Sequence, residues 1–489
     1  GAASDSVAES PLIGDGGCHR VRFDVAIVGG GSGGVGAAWA AARLGLRVVI
    51  VERHNRLGGL STVGGVSCWE PGVGATGEPL DLYRLLRHTP GQVAIYSIGR
   101  HFAWPPPPFS PWDMNFFPGG EVVPDPSRRY ADTLRRHLPE GQSPTEALCR
   151  AFWHGVLFGP EAMAATMEHA LRDTGRVLIR YGASFEEVRV REGRVTEVRL
   201  AEGDRIEANY WVDATGDGTL AMAAGAREIA SGSEAHGRFR NGVTLIYRVV
   251  PSSRADVEPW EGPSPCWWQT GWPPAVVAHL PDGTLFINML PTMEGREWVE
   301  RGEADGWAEC RRRIRAHWHY LQAEHPEFRR YRFWSEALLM GIRETRQISC
   351  YRILTEDDLR GGLSRQRDPD VIALADHPLD RHGQGGGCHL LNEPYGIPFR
   401  SLIPVGVENM AVACRAAGFD AAVASSVRLS RTVMQIGQAV GTAAALAAQK
   451  HRAFTEVDAA SLREALRRQG VALEWPPPPA IQQRIAEAG

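Results

Sequence analysis

Three glycines, Gly29, Gly31 and Gly34, stand in G-x-G-x-x-G register, and an acidic residue, Glu52, follows them with Arg53 at its side. These residue types at this spacing suit an adenine dinucleotide. The first glycine permits a tight turn, the second lets a pyrophosphate approach the backbone, and the third lets a helix lie close on a strand. An acid roughly twenty residues further on can accept both hydroxyls of an adenosine ribose. A lone glycine fingerprint is weak, so its surroundings carry the weight. The apolar, β-branched run Val25–Val28 precedes it, Ala-rich helical sequence follows, and a second apolar run, Val48–Val51, ends on Glu52. That order predicts strand, helix, strand, with the helix N-terminus offering free N–H groups and a positive dipole end to the phosphates. On these residues alone NAD and FAD both stay open.

A second small-residue segment, YWVDATGDGTL, runs from Tyr210 to Leu220. An apolar strand that stops on small residues can press its carboxyl end against a nucleotide held at the first motif. The run Gly383–Gly387 neither follows a strand nor opens a clear helix, so no second dinucleotide fingerprint is found and a dedicated NAD(P)H domain is not expected. His317 and His319, two apart on a predicted helix, face different directions and read as structural. No cluster has metal-ligand spacing. The eight cysteines are scattered without a C-x-x-C pair, which excludes a zinc ribbon and a dithiol redox site. Reduced core thiols are the default in a chain this large.

The chain has 489 residues, 43% hydrophobic and 22% charged, which is room for two or three domains with ordinary cores. A formal net charge of −4 gives no electrostatic case for nucleic acid or an acidic membrane. No apolar run is long enough to span a bilayer. Lys450 is the only lysine, so Schiff-base and lysine-base chemistry are set aside. Gly1–Arg20 is small and polar, reads as flexible, and holds no apolar signal core. The compartment stays open: cytoplasmic, or exported after removal of a signal segment. Within residues 89–155, AWPPPPFSPWDMNFFPGG predicts an irregular lid or oligomer contact, since proline runs disfavour regular elements while aromatics argue for packing. The stretches Phe185–Arg191, Arg194–Ala201 and Arg205–Asn209 predict an antiparallel meander, followed by a separate strand from Tyr210. Trp298–Glu324 reads as one charged helical stretch. Gly437 and Gly441 in the last long helix are spaced for close contact with another backbone.

Phe23–Gly59, Trp211–Ala226, Gly341–Leu359 and Tyr395–Ala448 together resemble the FAD-dependent oxidoreductase family. This is a branch of the glutathione-reductase-like flavoprotein superfamily that includes xanthan-lyase-like proteins. The resemblance implies an α/β fold: a Rossmann-like FAD-binding domain assembled from discontinuous segments, with a second, mixed β-sheet and helix substrate domain. The divisions are a flexible start (1–20), FAD-binding parts (21–88, 156–230 with the meander, and 395–455), the insertion (89–155), a substrate domain (231–394) and a C-terminal tail (456–489). It also implies that Gly29, Gly31 and Gly34 hold the FAD pyrophosphate, that Glu52 holds the ribose, and that Gly58 and Gly59 lie near the ribityl–flavin junction. Ala214, Thr215, Gly216 and Asp217 would form a second FAD contact. The family's Ala-Gly-Arg reads Ala413-Cys414-Arg415 here, which puts a side chain where backbone often approaches FAD. Ser425, Ser426, Val427 and Arg428 match a small-small-Val-Arg pattern, and the following helix resembles one whose N-terminus points at the flavin and stabilises its anionic reduced form.

In such chemistry a base removes a proton from a hydroxyl or amine while the flavin takes a hydride. The candidate bases are His382, then His377 and His389, all in DHPLDRHGQGGGCHLLNEPYGIPFRSLIP. Arg343 and Arg400 suit orienting an anionic or polyhydroxylated substrate, with Tyr395 and His389 as further substrate contacts. The partners expected are a small polar substrate, hydroxyl- or amine-bearing or a carbohydrate, and an unidentified electron acceptor; oligomerisation is left open. Three other readings compete: a flavin monooxygenase or halogenase, although no W-x-W-x-I-P signature is present; a flavin-assisted isomerase or lyase; and a non-catalytic flavin-binding protein.

Overall fold

The apolar run before the glycines forms strand β1, Arg20–Val28; the glycines open helix α1, Ser32–Arg43; and the run that ends on the acid is β2, Val48–Glu52. All five residues of β2 are buried. Both faces of this strand are covered, which is why its sequence is continuously apolar rather than alternating. β1 and β2 pair in parallel, from Val25 opposite Val48 to Val28 opposite Val51. The computed structural model describes residues 20–69, 76–96, 102–104, 155–229, 240–263, 271–273, 275–389, 391, 393–475 and 477–488. The expectation for Gly1–Arg20 lies outside these residues, except that Arg20 begins β1.

β3, Val177–Tyr181, extends the sheet in parallel beyond β2. β4, Phe185–Arg191, and β5, Arg194–Leu200, form a hairpin. Its turn residues Glu192 and Gly193 have φ of 50° and 74°, the two positive values that a primed two-residue turn requires. The two pieces expected from Arg205 and from Tyr210 are one nine-residue strand, β6, Arg205–Asp213. β6 serves three neighbours. It lies parallel to β1 along its length, antiparallel to β5 at Arg205–Glu207, and parallel to β7, Met410–Val412, at Trp211–Asp213. The resulting order is β3-β2-β1-β6-β5-β4, with β7 on the last residues of β6. The C-terminal ends of β1, β2, β6 and β7 therefore converge at one edge, where open α/β sheets bind ligands.

Helix α2, Ser430–Gln449, packs on α1 with little between the backbones. A Cβ on Gly437 would stand 2.0 Å from Gly33 O, one on Gly441 2.3 Å from Ala37 O, and one on Gly36 2.3 Å from Met434 O. The backbone that Gly437 and Gly441 approach is thus the fingerprint helix itself.

A second sheet is built from Tyr247–Pro251, Ala275–His279, Leu285–Met289 and Tyr331–Glu336, with Phe102–Trp104 on its edge beside Ala275–Val277. Cys310, Ile314, Trp318 and Leu321 bury one helix face against Tyr247, Val249, Val277 and Ile287. The single stretch expected over Trp298–Glu324 is split into helices Gly295–Arg301 and Glu303–Glu324 by Gly302, whose φ is 78°. Beyond Val93–Tyr96 and Phe102–Trp104, most of the aromatic insertion, and with it the lid or oligomer reading, lies outside the described residues. The segment expected to be a tail is instead docked. Leu462 and Leu466 are fully buried, and Arg484 pairs with Asp81 at 2.5 Å while its carbonyl accepts from Arg84. Among the described residues no helix is long and apolar enough to cross a membrane.

Candidate active site

A single cavity runs along the edge where the strand ends converge. At one end lie the fingerprint glycines. Gly29 turns the chain out of β1 at φ 104°, and a Cβ there would stand 2.0 Å from Ala214 O. A Cβ on Gly34 would stand 1.9 Å from Gly29 O, and one on Gly33 1.8 Å from Ala413 O at the end of β7. Gly31 differs: it has φ −71°, and the nearest atom to its Cβ position is Gly59 Cα at 3.9 Å. The space over α1's free N–H groups is thus open where a pyrophosphate needs it. Gly58 and Gly59, at φ 109° and 54°, form the opposite lip, with Gly58 N donating to Gly30 O at 2.8 Å. Glu52 lines the cavity, only 6% exposed. Its Oε2 accepts from Gly30 N at 2.8 Å and its Oε1 from His54 N at 3.0 Å, so the carboxylate is aimed by backbone donors while each oxygen keeps a lone pair. Arg53 lines the same end.

Ala214, Thr215, Gly216 and Asp217 form the next wall. They are held by Asp213, fully buried, which accepts from Thr215 N and Oγ1 and from Ala221 N at 2.7–3.0 Å. Burial pushes the Asp213 carboxyl above its ordinary range, against these hydrogen bonds. Asp217 pairs with Arg415 at 2.5 Å and accepts from Thr345 Oγ1 at 2.8 Å. Cys414 lines the cavity as well, and burial pushes its thiol up to about 12, so it presents a neutral, uncharged side chain.

The far end joins residues from three segments. A hairpin of Leu379–Arg381 and Gly387–His389 carries Asp380, and His382 follows it. His382 Nε2 lies 2.9 Å from Asp380 Oδ2. Burial, the Arg343 guanidinium and the Arg428 guanidinium lower the ring to about 4, against the pull of Asp380. Although burial opposes ionisation, His382, His377 and Arg428 hold the Asp380 carboxyl well below the usual range. The pair is therefore an ionised carboxylate beside a neutral imidazole. A neutral ring that donates Nε2–H to Asp380 keeps Nδ1 as a proton acceptor.

Arg343 and His382 are both tied to Gly242. Arg343 Nη1 donates to Gly242 O at 2.6 Å and Nη2 to Thr244 Oγ1 at 2.9 Å. His382 N donates to Asn241 Oδ1 at 2.9 Å, and Gly242 N donates back to His382 O at 2.7 Å. Glu344 Oε1 accepts from Asn241 N at 2.6 Å from behind. Arg428, Leu429, Ser430, Arg431 and Val433 bring the start of α2 to the cavity, and the first turn of that helix has no acidic residue.

Five expected site residues are placed elsewhere. His377 Nδ1 is 2.8 Å from Pro378 O, and its carbonyl accepts from Ser426 Oγ at 2.7 Å. Tyr395 is fully buried with its hydroxyl 2.7 Å from Ser426 Oγ, so Tyr395, Ser426 and His377 form a buried prop beneath the hairpin rather than cavity wall. Arg400 is held by Asp370 and Asp368, each at 3.0 Å, away from the cavity. His389 is exposed on the return strand of the hairpin. Asp380 joins the site beside the expected His382, and Asp-x-His carries the signal for it: alternate residues of an extended segment share a face. Among the described residues no group of His, Cys, Asp and Glu could hold a metal ion.

The family model described as FAD dependent oxidoreductase matches residues 24–466. Among curated proteins, thiamine thiazole synthase of Aeropyrum pernix is 51% identical over 46 residues, 9% of this chain; the match spans 17% of that enzyme's length. Among solved structures, p-nitrophenol 4-monooxygenase from Pseudomonas putida DLL-E4 aligns with a TM-score of 0.48 and 13% identity, over 96% of this chain and 93% of that one. A geranylgeranyl bacteriochlorophyll reductase-like protein from Thermoplasma acidophilum aligns with a TM-score of 0.46 and 11% identity, over 96% and 97% of the two chains.

Proposed function

The chain belongs to the FAD-dependent oxidoreductase family, and on that premise we propose that it is a dehydrogenase or oxidase that takes a hydride from a small hydroxyl- or amine-bearing substrate. The residues fit FAD. The open space over Gly31 and the start of α1 suits the pyrophosphate, and the backbone-aimed Glu52 carboxylate suits the adenosine ribose. The Cys414 side chain is accommodated as a neutral thiol in the wall rather than blocking it.

One observation carries the reading: the cavity lined by the dinucleotide fingerprint is also lined by His382, whose Nε2 lies 2.9 Å from Asp380 Oδ2. FAD, when bound, supplies the hydride acceptor, its N5. His382 Nδ1 takes the proton of the substrate hydroxyl or amine as the hydride leaves the adjoining carbon. Asp380 holds Nε2–H, fixing the tautomer and stabilising the imidazolium that results. Arg343, held by Gly242 and Thr244, lines the same cavity and orients the substrate beside His382. The start of α2 places a positive dipole end where negative charge develops. Return of the electrons to an external acceptor completes turnover.

The test is anaerobic mixing of the purified holoprotein with panels of sugars, amines and hydroxy acids. The expected result is loss of the oxidised flavin band with one class. Retention of the band with every class, in protein that carries stoichiometric FAD, overturns the proposal.

A further inference from the structure

Besides the nucleotide and dyad residues, the cavity is lined by Val66, Trp69, Ile246, Leu290, Leu339 and Ile342, an apolar and aromatic surface. Thr244 also lines it, but its hydroxyl already accepts from Arg343 Nη2 at 2.9 Å. Asn288 differs. It lines the same cavity, and its Oδ1 is buried with no hydrogen-bond partner among the described residues. Its strand, Leu285–Met289, alternates between two cores. Leu285, Ile287 and Met289 share one with Cys310, Ile314 and Trp318 of the long helix, whereas Phe286 shares the other with Leu157, Ile246 and Ala278. Asn288 falls on the Phe286 face, and its cross-strand partner is Val276. A leucine would suit that place without any polar cost. An amide buried there unpaired loses hydrogen bonds to water and gains none from the fold. A buried polar group left unpaired needs a reason, and its place on the cavity wall supplies one.

We propose that Asn288 is the specificity-determining residue of the site, and that the substrate is an alcohol or amine with an apolar body and one further hydrogen-bonding group. The body, aromatic or branched aliphatic, lies on Trp69, Ile246 and Leu290. The further group, distinct from the hydroxyl or amine that is oxidised, pairs with the Asn288 amide. That amide carries both a carbonyl and an NH2, so it serves a donor or an acceptor on the substrate. A sugar does not fit this wall, because each hydroxyl laid on it would give up water with nothing in return. Selection is strong in the other direction too. A site built to hydrogen-bond its substrate rejects an analogue lacking that group far better than an apolar pocket rejects a missing methylene.

This assignment rests on the reading of the cavity as a flavin site with its substrate beside His382, but binding can be measured without turnover. The holoprotein is titrated with benzamide, acetamide and toluene while the visible flavin band is followed. Benzamide has the apolar body and the polar group; acetamide lacks the first and toluene the second. The expected result is a saturable spectral shift with benzamide, at least about tenfold tighter than with either of the others. Asn288→Leu should weaken benzamide at least about tenfold and hold toluene no more weakly, with FAD content unchanged and the melting temperature not lowered. No shift with benzamide, or acetamide bound as tightly, overturns the proposal; this comparison needs only the unaltered protein. Equal effects of the substitution on benzamide and toluene, a fall in FAD content or a lowered melting temperature also overturn it, since the amide would then serve the fold or the cofactor. If benzamide binds as expected and no alcohol or amine bleaches the flavin, the Asn288 site stands and the oxidoreductase mechanism falls. If sugars bleach the flavin while benzamide does not bind, the converse holds.

Discussion

His382 Nε2 lies 2.9 Å from Oδ2 of Asp380, two residues earlier in the chain, with Arg343 and Arg428 as the other charged groups facing the ring. Burial and the two guanidiniums act against protonation and the carboxylate acts for it, and the balance is a ring at about 4 against an ordinary 6.5. A base must be unprotonated to work, so flavin reduction should lose rate only as pH falls towards about 4, not through 6.5. Removing a cation, in Arg343→Gln, should move that acid limb up; removing the anion, in Asp380→Asn, should move it down. Stopped-flow reduction rates across pH check both directions. A prop without electrostatic influence would leave the limb in place.

His382→Gln should slow flavin reduction by roughly 100-fold or more, the usual scale of a lost general base, with FAD content unchanged. Reduction at the unaltered rate would remove His382 from the base role. His377→Gln should act differently. That ring lies under the hairpin, and its own carbonyl, not its imidazole, receives Ser426 Oγ. Its variant should cost stability with little effect on the pH limb.

Gly31 and Gly34 belong to one fingerprint but should fail in different ways. A methyl at Gly34 would overlap Gly29 O at 1.9 Å, so Gly34→Ala must shift helix against strand and should lose several kcal/mol or fail to fold. A methyl at Gly31 meets nothing nearer than 3.9 Å, and its φ of −71° is ordinary. Gly31→Ala should fold with unaltered stability in the absence of FAD and bind FAD at least about tenfold more weakly, because the methyl fills the space kept for phosphate. Apoprotein melting together with flavin titration separates the two variants.

The residues whose place in the fold is legible in the sequence are those whose signal is local. Gly29, Gly31, Gly34 and Glu52 sit within one strand–helix–strand unit, so turn, helix start and strand end could be read together. Gly33 gives no local signal, because what it admits, Ala413 O, directly follows a strand near the other end of the chain. Arg400 looks like a substrate contact in the sequence, where nothing local shows that Asp368 and Asp370, 32 and 30 residues earlier, reach it through the pairing of Val371–Ala375 with Tyr395–Pro398. Asp380 could have been found, since an Asp-x-His pair in an extended segment needs no long-range knowledge. The docking of Arg484 on Asp81 could not, for nothing local in a proline-rich end announces a partner 403 residues away.

His317 predicts acid lability away from the cavity. It is fully buried, its Nδ1 lies 2.8 Å from the Tyr247 hydroxyl, and burial with the neighbouring His325 lowers it to about 3 from 6.5. The unfolded chain takes this proton below 6.5, whereas the folded chain takes it only near 3. The unfolded state thus binds more protons in that window, and stability falls as pH drops through it. The slope from one such group is at most about 1.4 kcal/mol per pH unit. His317→Gln keeps a polar side chain for Tyr247 and cannot titrate. Denaturant titrations between pH 4 and 7 should show a shallower dependence in the variant, by about one proton; an unchanged slope would remove His317 as the cause.

Gly437 predicts that the fingerprint helix and the start of α2 fail together. A Cβ at Gly437 would stand 2.0 Å from Gly33 O and 2.8 Å from Ala37 N, backbone atoms that cannot rotate away. Relief requires the helices to part. The same crossing fixes α1, whose first turn opens on the phosphate space, and α2, whose first turn lies at the dyad. Gly437→Ala should therefore lose about 1–3 kcal/mol or more and also weaken FAD binding, although residue 437 does not line the cavity. Gly441→Ala, which meets Ala37 O at 2.3 Å one turn further from the cavity, should lose comparable stability with a smaller loss of FAD affinity. Measuring the apoprotein unfolding midpoint and the FAD dissociation constant for both variants tests the geometry. Equal FAD losses would mean that the helices move as one rigid pair rather than hinging near the site.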